Sequence, residues 1–124
     1  MQIWATVSMQ ISKSFDKYKI SIRTVNYNNG PNNYGYNSYK VIECYYQNTI
    51  VAHLHFFEMQ TGYQNTYDAG TDTMTLYFQM NRFNDIYYLI WHEKNVSVYW
   101  NSQTGEGRVN SNDFEPVGED GIQP

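Results

Sequence analysis

Hydrophobic and polar positions alternate with a period of two over most of this chain. From Gln2 to Ser12, Ile3, Ala5, Val7, Met9 and Ile11 fall on one side, and Gln2, Trp4, Thr6, Ser8, Gln10 and Ser12 on the other; Trp4 is the exception on the polar side. Successive side chains of a strand point to opposite faces, so this stretch reads as a long strand with one buried face. Lys13-Ser14-Phe15-Asp16 has the length of a hairpin turn. Lys17 to Val25 alternates again, with Tyr18, Ile20, Ile22 and Thr24 inward and Lys17, Lys19, Ser21 and Arg23 outward. A slip of one residue would bury Lys17, Lys19 and Arg23, so the register is strongly specified.

Two further runs, Tyr39 to Gln47 and Ile50 to Glu58, flank Gln47-Asn48-Thr49. The first has no clean inside and outside, which suits a strand covered on both faces or one containing a bulge. In the second, Ile50, Ala52, Leu54 and Phe56 form one face and Val51, His53, His55 and Phe57 the other. Thr73 to Trp100 reads as three adjacent antiparallel strands: Thr73 to Met80, Ile86 to Glu93 after a polar break at Asn81 to Asp85, and Asn95 to Trp100. A short strand is expected around Arg108 to Asn110. No stretch presents a sustained period of 3.6, and no repeat of solenoid length occurs. Seven to eight strands joined mostly as hairpins predict an all-β fold, an antiparallel sandwich or a small barrel.

Between these runs lie two polar segments. Asn26 to Tyr39 is punctuated by Gly, Pro and Asn and reads as a long loop. Met59 to Asp72 reads as a second. Residues 1–112 are expected to form one domain, and the acidic, Gly- and Pro-containing segment 113–124 a weakly ordered tail.

Composition adds a surface to this frame. Aromatic residues make up 18% of the chain, with 13 tyrosines, and charged residues only 16%, below the usual ~25%. Tyrosine joins an apolar body to a polar tip, which suits half-buried strands and contact surfaces. Small virus or particle proteins share this polar-aromatic, low-charge composition. The Tyr- and Asn-rich loop is therefore the candidate binding element, with Tyr27, Asn29, Asn33, Tyr34 and Tyr36, and Trp4 beside it, as candidate ligand contacts. Net charge is −4 and unevenly placed: Lys13, Lys17, Lys19, Arg23 and Lys40 against Asp16 give residues 1–42 a charge of +4, leaving −8 for residues 43–124. That asymmetry fits an oriented contact with a partner or another copy of the chain. No run approaches ~20 apolar residues, and Met1-Gln2-Ile3-Trp4 lacks the regions of a signal peptide; the expected location is cytoplasmic, or release in a particle.

Candidate chemistry is sparse. The single cysteine, Cys44, excludes a disulfide scaffold and reads as a small hydrophobe in a strand. His53, His55 and His92 are the candidate metal ligands, because a His-x-His pair projects two imidazoles side by side and a third from a neighbouring strand would complete a site. With Glu58 following, this resembles the metal motif of the cupins, and the resemblance implies a β-barrel enzyme. The gap from His55 to Glu58 is shorter than in that motif. Asn65, Asp68 and Asp72 around Gly70 offer oxygen ligands of the kind that hold calcium. No cofactor beyond such a divalent metal is implied. Lys13, Lys17, Lys19 and Arg23 form a basic stripe that would track the phosphates of a nucleic acid, against the acidity of the whole chain. No nucleophile elbow, phosphate loop or zincin motif is present. The run Tyr87 to Asn101 also resembles the paired back strands of concanavalin-type lectin sandwiches.

The first functional reading is a non-enzymatic binding or assembly module, self-associating, that recognises carbohydrate or protein without spanning a membrane. A cupin-like enzyme built on the histidines and a nucleic-acid binder built on the basic stripe are the alternatives.

Overall fold

The computed structural model describes residues 8–28, 34–58 and 62–114; of residues 25–28 and 34–38 it describes the backbone. Eight strands run in the order β1 (Gln10–Phe15), β2 (Lys17–Asn28), β3 (Tyr34–Tyr46), β4 (Thr49–Phe57), β5 (Thr66–Asp68), β6 (Thr73–Gln79), β7 (Val96–Asn101) and β8 (Gly107–Ser111). A 3-10 turn, Met80–Arg82, leads into one α-helix, α1 (Phe83–His92), between β6 and β7. The strands form a five-stranded sheet in the order β2-β3-β4-β6-β5 and a three-stranded sheet in the order β1-β7-β8. The fold is the expected all-β sandwich type, and among the described residues neither sheet closes into a barrel.

One face of the larger sheet makes the core. Ile42, Cys44, Ala52, Leu54, Phe56, Met74 and Leu76 are fully buried on it. They cluster with Phe83 and Ile90 of α1, with Phe15 of β1, and with Val96 and Val98 of β7. The smaller sheet and the helix thus share the task of covering one apolar face. The expected parity of β4 holds from Ala52 onward: Ala52, Leu54 and Phe56 lie inside, while His53, His55 and Phe57 are half-buried on the opposite face. It breaks at the start of the strand, where Val51, expected opposite, is buried in the core and Ile50, expected inside, is half-buried. The β3–β4 hairpin turns through Gln47 and Asn48, both left-handed with φ of 50° and 67°. Two successive positive φ values suit a two-residue hairpin turn, and Asn tolerates them better than most residues. The register shifts between Cys44 and Tyr45, which face Ala52 and Ile50, so the bulged residue is Val51 of β4 and not a residue of β3.

Five further expectations change. The run Ile86 to Glu93 is not a strand, so Thr73 to Trp100 is strand, helix, strand. Phe83, Ile86, Tyr87 and Ile90 recur at i, i+3, i+4 and i+7, which places them on the packed side of α1, while Tyr88 and Trp91 are 60% and 65% exposed. The β-forming character of Ile, Tyr and Trp conceals this period. Asp85 in the first turn also favours the helix dipole. The resemblance to lectin back strands fails for the same reason, since Tyr87 to His92 is helical.

Second, Lys13 to Asp16 is no hairpin turn. β1 continues to Phe15, and after Asp16 alone the chain passes into the other sheet. The Asp16 amide closes this corner by donating to the Tyr45 carbonyl at 2.8 Å. Third, the connections are not all hairpins: β4 and β6 are parallel neighbours, with β5 folded back on the outer edge of β6. Fourth, Asn26 to Tyr39 is mostly ribbon, because Asn26, Tyr27 and Asn28 pair with Tyr36, Gly35 and Tyr34. Residues 29–33 lie outside the described residues. Fifth, Ile20 and Ile22, expected inward, are 38% and 72% exposed on the edge strand β2. Of the tail, Asp113 is anchored by the Asn95 amide, which donates to its carboxylate at 3.0 Å; residues 115–124 lie outside the described residues. No helix among the described residues is long and apolar enough to cross a membrane.

Candidate functional site

The face of the five-stranded sheet turned away from the core carries rows of side chains fixed by strand register. One row runs Arg23, Tyr39, Phe57, Gln79 across β2, β3, β4 and β6. The next runs Ser21, Val41, His55, Tyr77, and a third Lys19, Glu43, His53, Thr75. Neighbouring strands sit ~4.8 Å apart, so rings in one row, or diagonal to it, must touch. Tyr39 lies 4.9 Å from Phe57, and His55 lies 5.2 Å from Tyr77 and 6.1 Å from Phe57, measured between ring centroids. Tyr63, from the segment before β5, extends the group, 5.2 Å from Tyr77 and 6.0 Å from Phe57. Val41 is fully buried although it belongs to this face, so the surrounding side chains close over it.

At the β2 edge the aromatic rows meet cations. The Arg23 guanidinium stands 6.0 Å from the Tyr39 ring and the Lys19 ammonium 5.5 Å from the Tyr45 ring. Both side chains are exposed, and no carboxylate among the described residues forms an ion pair with either.

His55 sits at the centre of the rows. Burial, then the neighbouring His53 and Arg23, push its pKa below the ordinary 6.5. A depressed histidine leaves the folded state neutral where the unfolded chain already binds a proton. Stability is therefore complete above the ordinary value and is lost as pH falls through it toward the depressed one. His55→Phe removes that contribution while keeping ring volume. Denaturant titrations across this window should find the wild type losing stability with acidification more steeply than the variant; parallel slopes would refute the account.

Where the rows reach the far edge of the sheet, a cleft of about 640 Å³ opens. It is lined by Tyr63, Gln64, Asn65, Thr66 and Tyr77 on one side and by Trp100 and the turn 102–105 on the other. Asn65 joins the walls. Its Nδ2 donates to the Gly105 carbonyl at 2.9 Å, its Oδ1 accepts from the Tyr77 amide at 2.8 Å, and its own carbonyl accepts from Trp100 Nε1 at 3.1 Å. Asn101 Oδ1 organises the turn by accepting from the Gln103 amide at 2.8 Å.

The structure distributes the candidate residues of the sequence among several places. Tyr27, Tyr34 and Tyr36 lie on the β2–β3 ribbon, and Trp4, Asn29 and Asn33 lie outside the described residues. His53 and His55 are neighbours with ring centroids 6.3 Å apart, and His53 Nδ1 is 3.9 Å from Glu43. His92 ends α1 against Tyr88 and Trp91. Among the described residues no three His, Cys, Asp or Glu side chains converge as a metal-binding group. The Asp68 carboxylate accepts from the Gly70 amide, and Asp72 is engaged by Lys13 and Tyr67, which hold its carboxyl below the usual range. Lys13 thereby leaves the basic stripe, and Lys17 donates to Asn48 at 3.0 Å. Cys44 is fully buried, and burial pushes its thiol pKa up, which makes it a poor nucleophile.

Sequence reasoning passes over Tyr39, Tyr63 and Tyr77. For Tyr77 the signal exists, because it alternates out of phase with the core residues Met74 and Leu76. Tyr63 becomes part of the group only through tertiary structure.

Together these features define a two-sheet β domain whose outer sheet face carries rows of half-buried aromatic side chains ending in a polar cleft. No family model, no curated protein and no solved structure matches the chain.

Proposed function

We propose that this domain is a non-enzymatic binding module that takes carbohydrate in the cleft beside Tyr63. The observation that carries this reading is the lining itself. Gln64, Asn65, Thr66, Ser102, Gln103 and Thr104 bring amides and hydroxyls, and Tyr63, Tyr77 and Trp100 bring aromatic bodies. A sugar ring has hydroxyls around its rim and an apolar C–H face. Amides and hydroxyls both donate and accept, so they match the rim, and an aromatic ring matches the face. Among the described residues the lining contains no carboxylate and no histidine, the groups that general acid–base chemistry on a glycoside would use. The Asn65 bonds fix the cleft before a ligand arrives, which lowers the ordering cost of binding.

Calorimetric titration of the full chain with neutral cello- and chito-oligosaccharides tests this. Tyr63 is 63% exposed, so Tyr63→Ala leaves the core intact. The variant is expected to bind about tenfold more weakly, a loss of ~1.4 kcal/mol. Absence of binding to every oligosaccharide, or equal affinity in the variant, would reject the reading.

A further inference from the structure

We infer that the ligand is an extended, uronate-bearing polysaccharide that leaves the cleft across the aromatic rows and ends its contact on Arg23 and Lys19. This rests on the carbohydrate reading and specifies its class. Tyr77 and Tyr63 belong to both surfaces: they line the cleft and they contact His55 and Phe57 of the rows. From β6 to β2 is three strand spacings, about 14 Å, so a ligand using the whole surface is a chain and not a single sugar.

Charge changes along that path. Among the described residues the cleft lining carries no charged group, whereas two of the three rows begin at a cation on the β2 edge. Arg23 offers a planar fork that suits a carboxylate, and no carboxylate among the described residues occupies it. Glu43 lies on the Lys19 row but stands within 3.9 Å of His53. A polynucleotide fits less well. Its affinity scales with the number of phosphates neutralised, and this path offers two cations on a chain of net charge −4. A polysaccharide with intermittent carboxylates meets neutral and cationic stretches in turn.

The test compares binding of a neutral cello-oligosaccharide, an oligogalacturonate of matched length and an oligothymidylate. Each is titrated into the full chain and into the double variant Lys19→Gln/Arg23→Gln, whose substitutions are exposed on an edge strand. Thermal melting checks that the variant is folded. The wild type is expected to prefer oligogalacturonate over the neutral chain by about tenfold, as charge-assisted hydrogen bonds provide, and raised salt should erase the preference. The double variant should lose the preference and keep its affinity for the neutral chain. Equal affinities of the wild type for both sugars would overturn the inference and leave the cleft reading standing. Preferential binding of oligothymidylate would overturn it in favour of a nucleic-acid ligand. A wild-type dimer in sedimentation that the double variant abolishes would overturn it in favour of a second copy of the chain. Failure of every sugar to bind would reject the cleft reading itself.

Discussion

Replacing Phe56 with alanine is expected to lower the unfolding free energy by about 3–5 kcal/mol. Phe56 is fully buried on β4. Its ring stacks on Phe78 of β6 at 5.3 Å and meets Phe83 of α1 edge-on at 5.1 Å. It therefore joins the sheet to the helix, and the Lys40 ammonium stands over the Phe83 ring at 4.1 Å. Removing the ring opens a cavity where three elements meet, and β4 and β6 cannot collapse into it without breaking strand pairing. Domains of this kind have only ~5–15 kcal/mol of stability to lose. Equilibrium unfolding in urea should show a large fall in midpoint with little change in slope, and Phe56→Leu should recover much of it. A fall below ~1 kcal/mol would mean that α1 is not seated on this ring.

The second large effect is expected at Asn65. Asn65→Ala removes the acceptor of the Tyr77 amide and the donor to the Gly105 carbonyl, and leaves a half-buried backbone donor without its partner. The loss should be about 1–3 kcal/mol of stability. It should also weaken the cleft more than its own contact with a ligand explains, because the turn 102–105 then lacks its tie to the sheet. Space around this bond is tight. A Cβ on Gly107 would stand 2.5 Å from Leu76 Cδ2 and 3.1 Å from Asn65 Nδ2. Urea unfolding together with sugar titration distinguishes the two consequences. Asn65→Asp supplies a control, since it retains the acceptor and loses the donor. An alanine variant with wild-type stability would remove the clamp from the account.

Local pattern carried the strand architecture well. Parity placed Ala52, Leu54 and Phe56 inside and His53, His55 and Phe57 opposite them, because a strand alternates regardless of its neighbours. The break at Gln47-Asn48-Thr49 marked the β3–β4 turn. The helix was hidden because Ile, Tyr and Trp favour strands by shape, and only the packed faces of the two sheets make a helix the better solution there. Exposure of Ile22 was hidden for a related reason: parity says which face a residue is on and not whether anything covers that face. The aromatic surface lay beyond local reading altogether. Its rows exist through the register of β2, β3, β4 and β6, including a parallel pair that no hairpin enforces. The cleft is further still from the sequence, since Asn65 and Gly105 meet across 40 positions of chain.

The pairing of β1 with β7 has a consequence for the order of assembly. Ser8 bonds Asn101 across 93 positions, and the whole β1 ladder depends on a strand made near the end of the described chain. The β2–β3–β4 ribbon closes through neighbouring contacts and can form as soon as it is synthesised. The smaller sheet cannot, because its first member must wait for its second. Non-local pairing of this kind slows folding and leaves a strand edge open in the meantime. Phe15, which the finished molecule buries, is therefore exposed on a nascent chain until Val96 arrives opposite it. The first described strand thus completes its ladder only when β7 arrives, and β8 then adds to the other side of β7.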